Sequence, residues 1–333
     1  MTMKPAFAFT AALMVACACR LHAIEARDFS AQTHWVLMLD LKAVQASPLF
    51  SFVRDQIDAD KRQEAERKLA AIEAMFGVNL KKDIDHIVIA GDGDASKGGV
   101  AYIYGRFDAQ RLTTILAGAD DYSTSNYHGT VIQRWHDKAD KKTKHAAFAK
   151  PGLALFSDQA GPLVKALDVL AARRPSLPAN TPLRAAFTPS PGDVLTLHAS
   201  DLADIVGTQP TAQALRQAKS LSLRIGTPNA ETLKTALAVT ATDEQTAQQV
   251  YQALMGLRAL AMLRAAEEPE AAGLASQIGI TCEGSAVRMD FGITKAQLQT
   301  VLQNRKERLT APPAPAPARG DARPPAPREG APL

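Results

Sequence analysis

Cysteine is almost missing from this chain: 333 residues carry three, at positions 17, 19 and 282. With Cys17 and Cys19 in a leader that is removed, one thiol remains and an internal disulfide is excluded; a chain of this size buries enough surface to fold without one. Aromatic residues make up only 5%, too few to build stacking platforms for bases or sugars. No charge of one sign dominates. The formal net charge is +4, falling to about +2 when Lys4 and Arg20 leave with the leader, which excludes the clustered basic field that nucleic acid requires. No apolar run of the mature chain reaches the roughly 20 residues of a membrane-spanning helix.

What is present begins at the N-terminus. Met1 to Lys4 carry one positive charge, Pro5 to Ala18 form an uncharged and mostly apolar run, and Leu21-His22-Ala23 is a small-residue end. This is the pattern of a bacterial secretory signal over residues 1–23, so the mature protein is expected to be exported, to the periplasm or beyond. Met14-Val15-Ala16-Cys17 also resembles the site at which lipoprotein signals are cut before a lipidated cysteine. A tether through Cys17 is therefore the alternative to cleavage near Ala23, and it would place the chain at an envelope membrane surface. At the other end, residues 310–333 are a Pro/Ala/Arg-rich tail with eight prolines from Ala311 on. Such a segment cannot bury enough apolar surface to offset its ordering entropy and reads as disordered. Arg319-Gly320-Asp321 within it is a tripeptide that arises readily in this composition.

The middle reads as two related α+β units, residues 28–173 and 192–305, joined by a Pro-rich linker at 174–191. In the first, Trp35–Asp40 is a strand, Ser47-Pro48 opens a helix, and 61–76 is a second helix with Leu69, Ile72, Met75 and Phe76 on one face. Asp85–Ala90 and Val100–Gly105 form a hairpin across a Gly/Asp/Ser turn. Asp108 caps the next helix, strands follow at 130–135, 146–149 and 153–156, and 160–173 closes the unit as helix. The second unit repeats the order: a strand at 194–197, a helix at 202–217, a hairpin of 221–226 and 232–240 turning at Thr227-Pro228-Asn229, a helix from Thr242, strands at 278–283 and 286–291, and a closing helix at 294–303. Strands that come in hairpins imply antiparallel sheet covered by helices.

Candidate chemistry is thin. Asp92-Gly93-Asp94 with Ser96 and Gly98 offers oxygens to a hard cation, but the third ligand and terminal Glu of a calcium loop are missing, and a hairpin turn selects the same residues. His128, His136 and His145, with Asp137 adjacent, are separated by eight and nine residues, which matches no zinc spacing. Cys282 alternates within a strand as a small buried hydrophobe. The pairs Asp120-Asp121 and Glu267-Glu268 read as solvated charge. Lys138–Lys144 is a basic loop, of the kind that solubilises a hairpin tip or touches an anionic surface. The sequence therefore assigns no catalytic, cofactor-binding or metal-binding residue. It favours non-enzymatic binding or scaffolding at the envelope over an enzyme whose site is assembled between the halves.

The segment Phe76-Gly77-Val78-Asn79-Leu80-Lys81-Lys82-Asp83-Ile84-Asp85, with Gly105-Arg106-Phe107-Asp108 after the hairpin, resembles a pattern in uncharacterised secreted bacterial proteins. The resemblance covers roughly Trp35 to Leu170. It implies an exported α+β protein and carries no activity and no site residues.

Overall fold

The computed structural model describes residues 24–76, 78–93, 98–138, 141–205, 213–263 and 269–310. Cys17, Glu267-Glu268, Arg319-Gly320-Asp321 and the Pro-rich tail beyond Thr310 lie outside them. The chain divides into a unit Met1–Lys295 and a unit Ala296–Leu333; in the second, the described residues are helix.

The fold is α+β. The elements run β1 (Trp35–Asp40), α1 (Leu41–Ala46), α2 (Pro48–Gln56), α3 (Ala59–Phe76), α4 (Leu80–Asp83), β2 (Ile84–Gly91), β3 (Val100–Gly105), α5 (Ala109–Leu116), β4 (Ser123–Tyr127), β5 (Thr130–Asp137), β6 (Lys142–Lys150), β7 (Leu153–Ser157) and α6 (Ala160–Leu170) in the first half. The second half runs β8 (Asp193–Ser200), α7 (Gln213–Arg216), β9 (Ala218–Asn229), β10 (Thr232–Ala241), α8 (Glu244–Leu263), α9 (Pro269–Ser276), β11 (Gly279–Glu283), β12 (Ala286–Thr294) and α10 (Lys295–Thr310).

Among the described residues all twelve strands join one antiparallel sheet, in the order β11-β12-β10-β9-β8-β1-β2-β3-β7-β6-β5-β4. Both halves are wound alike: a first strand, a hairpin beside it, a helix, and a last strand that returns to pair with the second strand of the hairpin. The halves meet where β1 pairs with β8, Trp35 opposite Ala199 and Leu39 opposite Leu195. That pairing satisfies two strand edges that separate units would leave open.

Local sequence explains most boundaries. Asp40, Ser47, Asp108 and Asp243 each accept hydrogen bonds from the first-turn amides of α1, α2, α5 and α8, with Asp40 at 2.8 Å from Ala43 N and Asp243 at 2.7 Å from Thr246 N. Each thereby satisfies amide groups that have no partner within the helix. Trp35 Nε1 donates to Gly93 O at 2.8 Å. A Cβ on Gly91 would sit 2.6 Å from the same indole, so the hairpin can turn over Trp35 only with glycine there.

Four expectations differ in detail. β4 (STSNY) was not expected, because it is polar and exposed along nearly its whole length and has no alternation to betray it. Of the helix expected over 202–217, the described residues hold a 3₁₀ turn at Leu202–Asp204 and the short α7; residues 206–212 lie outside them. β9 runs through Pro228 to Asn229 beside a register shift, a position where a strand tolerates proline. The stretch 174–191 contains a 3₁₀ helix, Pro182–Phe187, and buries Leu177, Leu183 and Ala186.

The sheet has two unlike faces. On one, directly opposed residues Met38, Val88, Tyr102, Leu155, Ala147 and Ile132 form an apolar row across six strands. This row is buried with Phe29, Leu183 and, from α6, Leu163 and Leu167. On the other face, α8 places Ala247 and Val250 with Trp35, Ala199, Val239 and Val287 in a second core.

Candidate functional site

An apolar cavity of about 780 Å³ lies on the second face, within the first half. Its floor is sheet: Ile87 of β2 and Ile103 of β3, which are opposite one another, with Ile84 at the strand end. Its walls are largely helical, with Leu41 and Val44 from α1, Phe50 and Val53 from α2, and Leu69 from α3, joined by Ile57, the extended residue that caps the end of α2. Phe50, Val53 and Arg54 stand at i, i+3 and i+4, so one stripe of α2 faces the cavity. Of the apolar face expected on α3, Leu69 lines the cavity; the side chains of Ile72, Met75 and Phe76 lie outside the described residues.

Local chemistry fixes the helices at this spot. Pro48 sets the first turn of α2 behind the Ser47 cap, and Leu49, 1% exposed, anchors the helix. Lys42 of α1 reaches Asp85 of β2 at 2.8 Å, and His86 Nδ1 lies 3.7 Å from Asp40. The helices are thus tied to the sheet at the Asp40 end of β1. Ile57, at the far end of α2, stays 47% exposed. Polar groups in the lining are few: Gln45, Ser51, Arg54 and Lys81. A cavity of this size, apolar with a handful of polar groups, has the character of a small-molecule site.

The residues singled out from the sequence are dispersed. Asp92 pairs with Lys165 at 2.8 Å, and residues 94–97 lie outside the described residues. His128 sits in the β4–β5 turn at φ +48° with its ring edge-on to Tyr127. His136 and His145 occupy neighbouring positions of β5 and β6 on one face, about 20 Å along the sheet from His128 at 3.3 Å per residue. β2 and β5 are four strand spacings apart, about 19 Å, so the Asp92 turn and His136 do not converge. Among the described residues no group of three or more His, Cys, Asp or Glu side chains could hold a metal ion.

The basic loop is also engaged. Lys138 pairs with Asp120 at 2.8 Å. Lys142 and Lys144, which belong to β6, reach Asp158 at 3.4 and 2.7 Å, and the hydrogen bond from Lys144 holds the Asp158 carboxyl below its usual range. Cys282 is half-buried on β11 against the second core.

The densest charged cluster is structural. Asp168 near the end of α6 accepts from Tyr127 OH at 3.0 Å, Arg173 Nε at 2.9 Å and Arg174 Nε at 3.2 Å. Burial pulls its pKa up, but the hydrogen bonds from Arg173, Tyr127 and Arg174 outweigh it and hold the carboxyl below its ordinary value. His198 on β8 is 3% exposed, and burial, helped by Arg224, lowers its pKa to about 4. It is a neutral core histidine. The cavity itself is what sequence reading missed. Its signal was the apolar stripe of α2, but a stripe shows only that a helix faces something apolar and leaves the distance open.

No helix of the described residues is long and apolar enough to cross a membrane. No family model matches the chain, and no curated protein matches it. Among solved structures it is similar to the protein TP0453 in its crystal form I, with a TM-score of 0.44 and 10% identity over 85% of this chain and 98% of that one.

Proposed function

We propose that this is an exported envelope protein that binds an apolar small molecule and does not transform it. The single observation that carries the reading is the cavity of about 780 Å³ between α1, α2, α3 and the sheet. Its volume falls in the range of about 300–1,000 Å³ typical of ligand pockets. The described lining holds no histidine, carboxylate or thiol that could activate its one hydroxyl, Ser51, and Lys81 and Arg54 are exposed. Export rests on the leader pattern of residues 1–23.

Titration with the neutral dye N-phenyl-1-naphthylamine tests the binding reading. A saturable fluorescence rise, one dye per chain, is the expected result, and Ile103→Trp should abolish it by filling the floor. No saturable signal from a folded chain would overturn the reading. The intact mass of protein made in a bacterium with its export machinery tests the address. A start near Ile24 supports an exported soluble protein, and a start at Cys17 with acyl chains supports a tethered one. A retained Met1 would refute export.

A further inference from the structure

We infer that the ligand is a single-chain amphiphile with an anionic head, its acyl chain in the cavity and its head at Arg54 and Lys81. This rests on the reading of the cavity as a binding site. The first observation is the distribution of polarity. Most of the described lining is hydrocarbon, from Phe50 and Val53 on the helix to Ile87 and Ile103 on the sheet, whereas its charged residues are Arg54 and Lys81. Both are cations, both are exposed, and the described lining holds no carboxylate.

The second observation is the charge around them: Arg54 is engaged, Nε and Nη2 both donating to Asp55 Oδ1, but that carboxylate is shared. Asp55 is the carboxylate beside Arg54, at 3.3 Å, and it also lies 3.8 Å from Arg62. One carboxylate between two guanidinium groups leaves a net positive charge. Lys81 forms no ion pair among the described residues. Its stem can follow the apolar wall while its ammonium stays in water.

The third observation is the helix register. Arg54 shares the stripe of Phe50 and Val53, so the guanidinium and the hydrocarbon wall present to one ligand. A wholly neutral ligand would leave the two cations without a role. A carboxylate or phosphate head on a chain long enough to fill the cavity uses both features.

The test is displacement of the bound neutral dye by saturated fatty acids, the matching primary alcohols and lysophosphatidylglycerol, at low and high salt. Within the acid series affinity should rise about fourfold per added methylene until the cavity is full, which is about 0.8 kcal/mol converted at 1.4 kcal/mol per tenfold. Acids should outcompete alcohols of equal length by about fivefold at low salt, and the gap should shrink as salt screens the exposed cations. The double variant Arg54→Glu with Lys81→Glu should bring the acid-to-alcohol ratio to one or below. Lys219→Glu, an exposed charge on β9, should leave that ratio unchanged.

Displacement by both anions supports recognition of the negative charge alone. Displacement by only one of them names the source as free acid or as phospholipid. Equal affinity for acids and alcohols, in a chain that still binds dye, overturns the inference and spares the binding reading. Failure to bind dye overturns both. A concentration-dependent dimer that excludes the dye would put a second copy in the groove and also refutes the inference. Urea midpoints of each variant separate lost binding from lost folding.

Discussion

The two halves share a winding but use the faces of the sheet differently. One row of opposed residues crosses ten of the twelve strands: Met38, Val88, Tyr102, Leu155, Ala147 and Ile132 lie toward β5, and Thr196, Arg224, Ala236 and Asp290 toward β12. It is core in the first half and turns polar at β8. The adjacent row on the other face stays apolar through both halves, from Met289, Leu237, Leu223 and Leu197 to Leu37 and Ile89. The first half thus buries one face under α6 and keeps an apolar cavity on the other. The second half packs α8 on its single apolar face. A helix seated on a sheet makes core; helices held away from it leave a cavity.

The largest effect that would break this comparison is a truncation in the packed face. Leu163→Ala in α6, whose side chain is fully buried, should cost about 2–5 kcal/mol in urea unfolding, since transfer and residual cavity both count. The half-buried Leu197→Ala should cost less than that. Equal costs would mean that the two faces are equally packed.

Next is acidity, through His198, which lies at the row's polar turn. Its folded pKa of about 4 is depressed from an ordinary 6.5. The unfolded chain therefore takes up a proton as pH falls through 6.5, while the folded chain resists until about 4. Stability should fall across that window by up to about 3 kcal/mol, at 1.36 kcal/mol per pK unit. His198→Gln should flatten this part of the profile. Asp158 and Asp168, whose carboxyls are held low, lose their contribution only below the ordinary carboxylate range, so the two acid effects separate in a pH series of urea midpoints. An unchanged slope in His198→Gln would contradict a buried neutral imidazole.

The smallest effect sharpens the comparison most. Val239→Phe, beneath α8 and 1% exposed, should destabilise by about 1–3 kcal/mol through overpacking. Ile103→Phe, on the cavity floor, should change stability by no more than about 0.5 kcal/mol while weakening dye binding. Thermal or urea unfolding of the pair checks it. Equal destabilisation would mean that no space lies above Ile103.

Much of the architecture was legible because its signals are local. Trp35–Asp40 and Val100–Gly105 are short apolar runs of strand length, and Asp108 and Asp243 announce the helices they cap. Strand β4 was not legible, because Ser123–Tyr127 pairs through its backbone with Thr130–Arg134 and buries little. The helix expected over 202–217 begins instead as a 3₁₀ turn, Leu202–Asp204, behind Asp201 in a left-handed conformation at φ +52°. The histidines were set aside on spacing alone. His136 and His145 stand at neighbouring positions on β5 and β6, while His128 lies in the β4–β5 turn and Asp92 in the β2–β3 turn, positions that only the strand order reveals.

By itself the sequence determined the class of fold and the order of most of its elements. Apolar runs, turn residues and caps are properties of neighbours along the chain. Only the tertiary structure decided that β1 and β8 fuse the halves into one sheet, and that Phe50, Val53 and Ile57 stand off from Ile87 and Ile103. Pairing across the halves and the gap between helix and sheet depend on residues far apart in sequence. A hydrophobic pattern specifies which side turns inward, and leaves to packing whether anything meets it there.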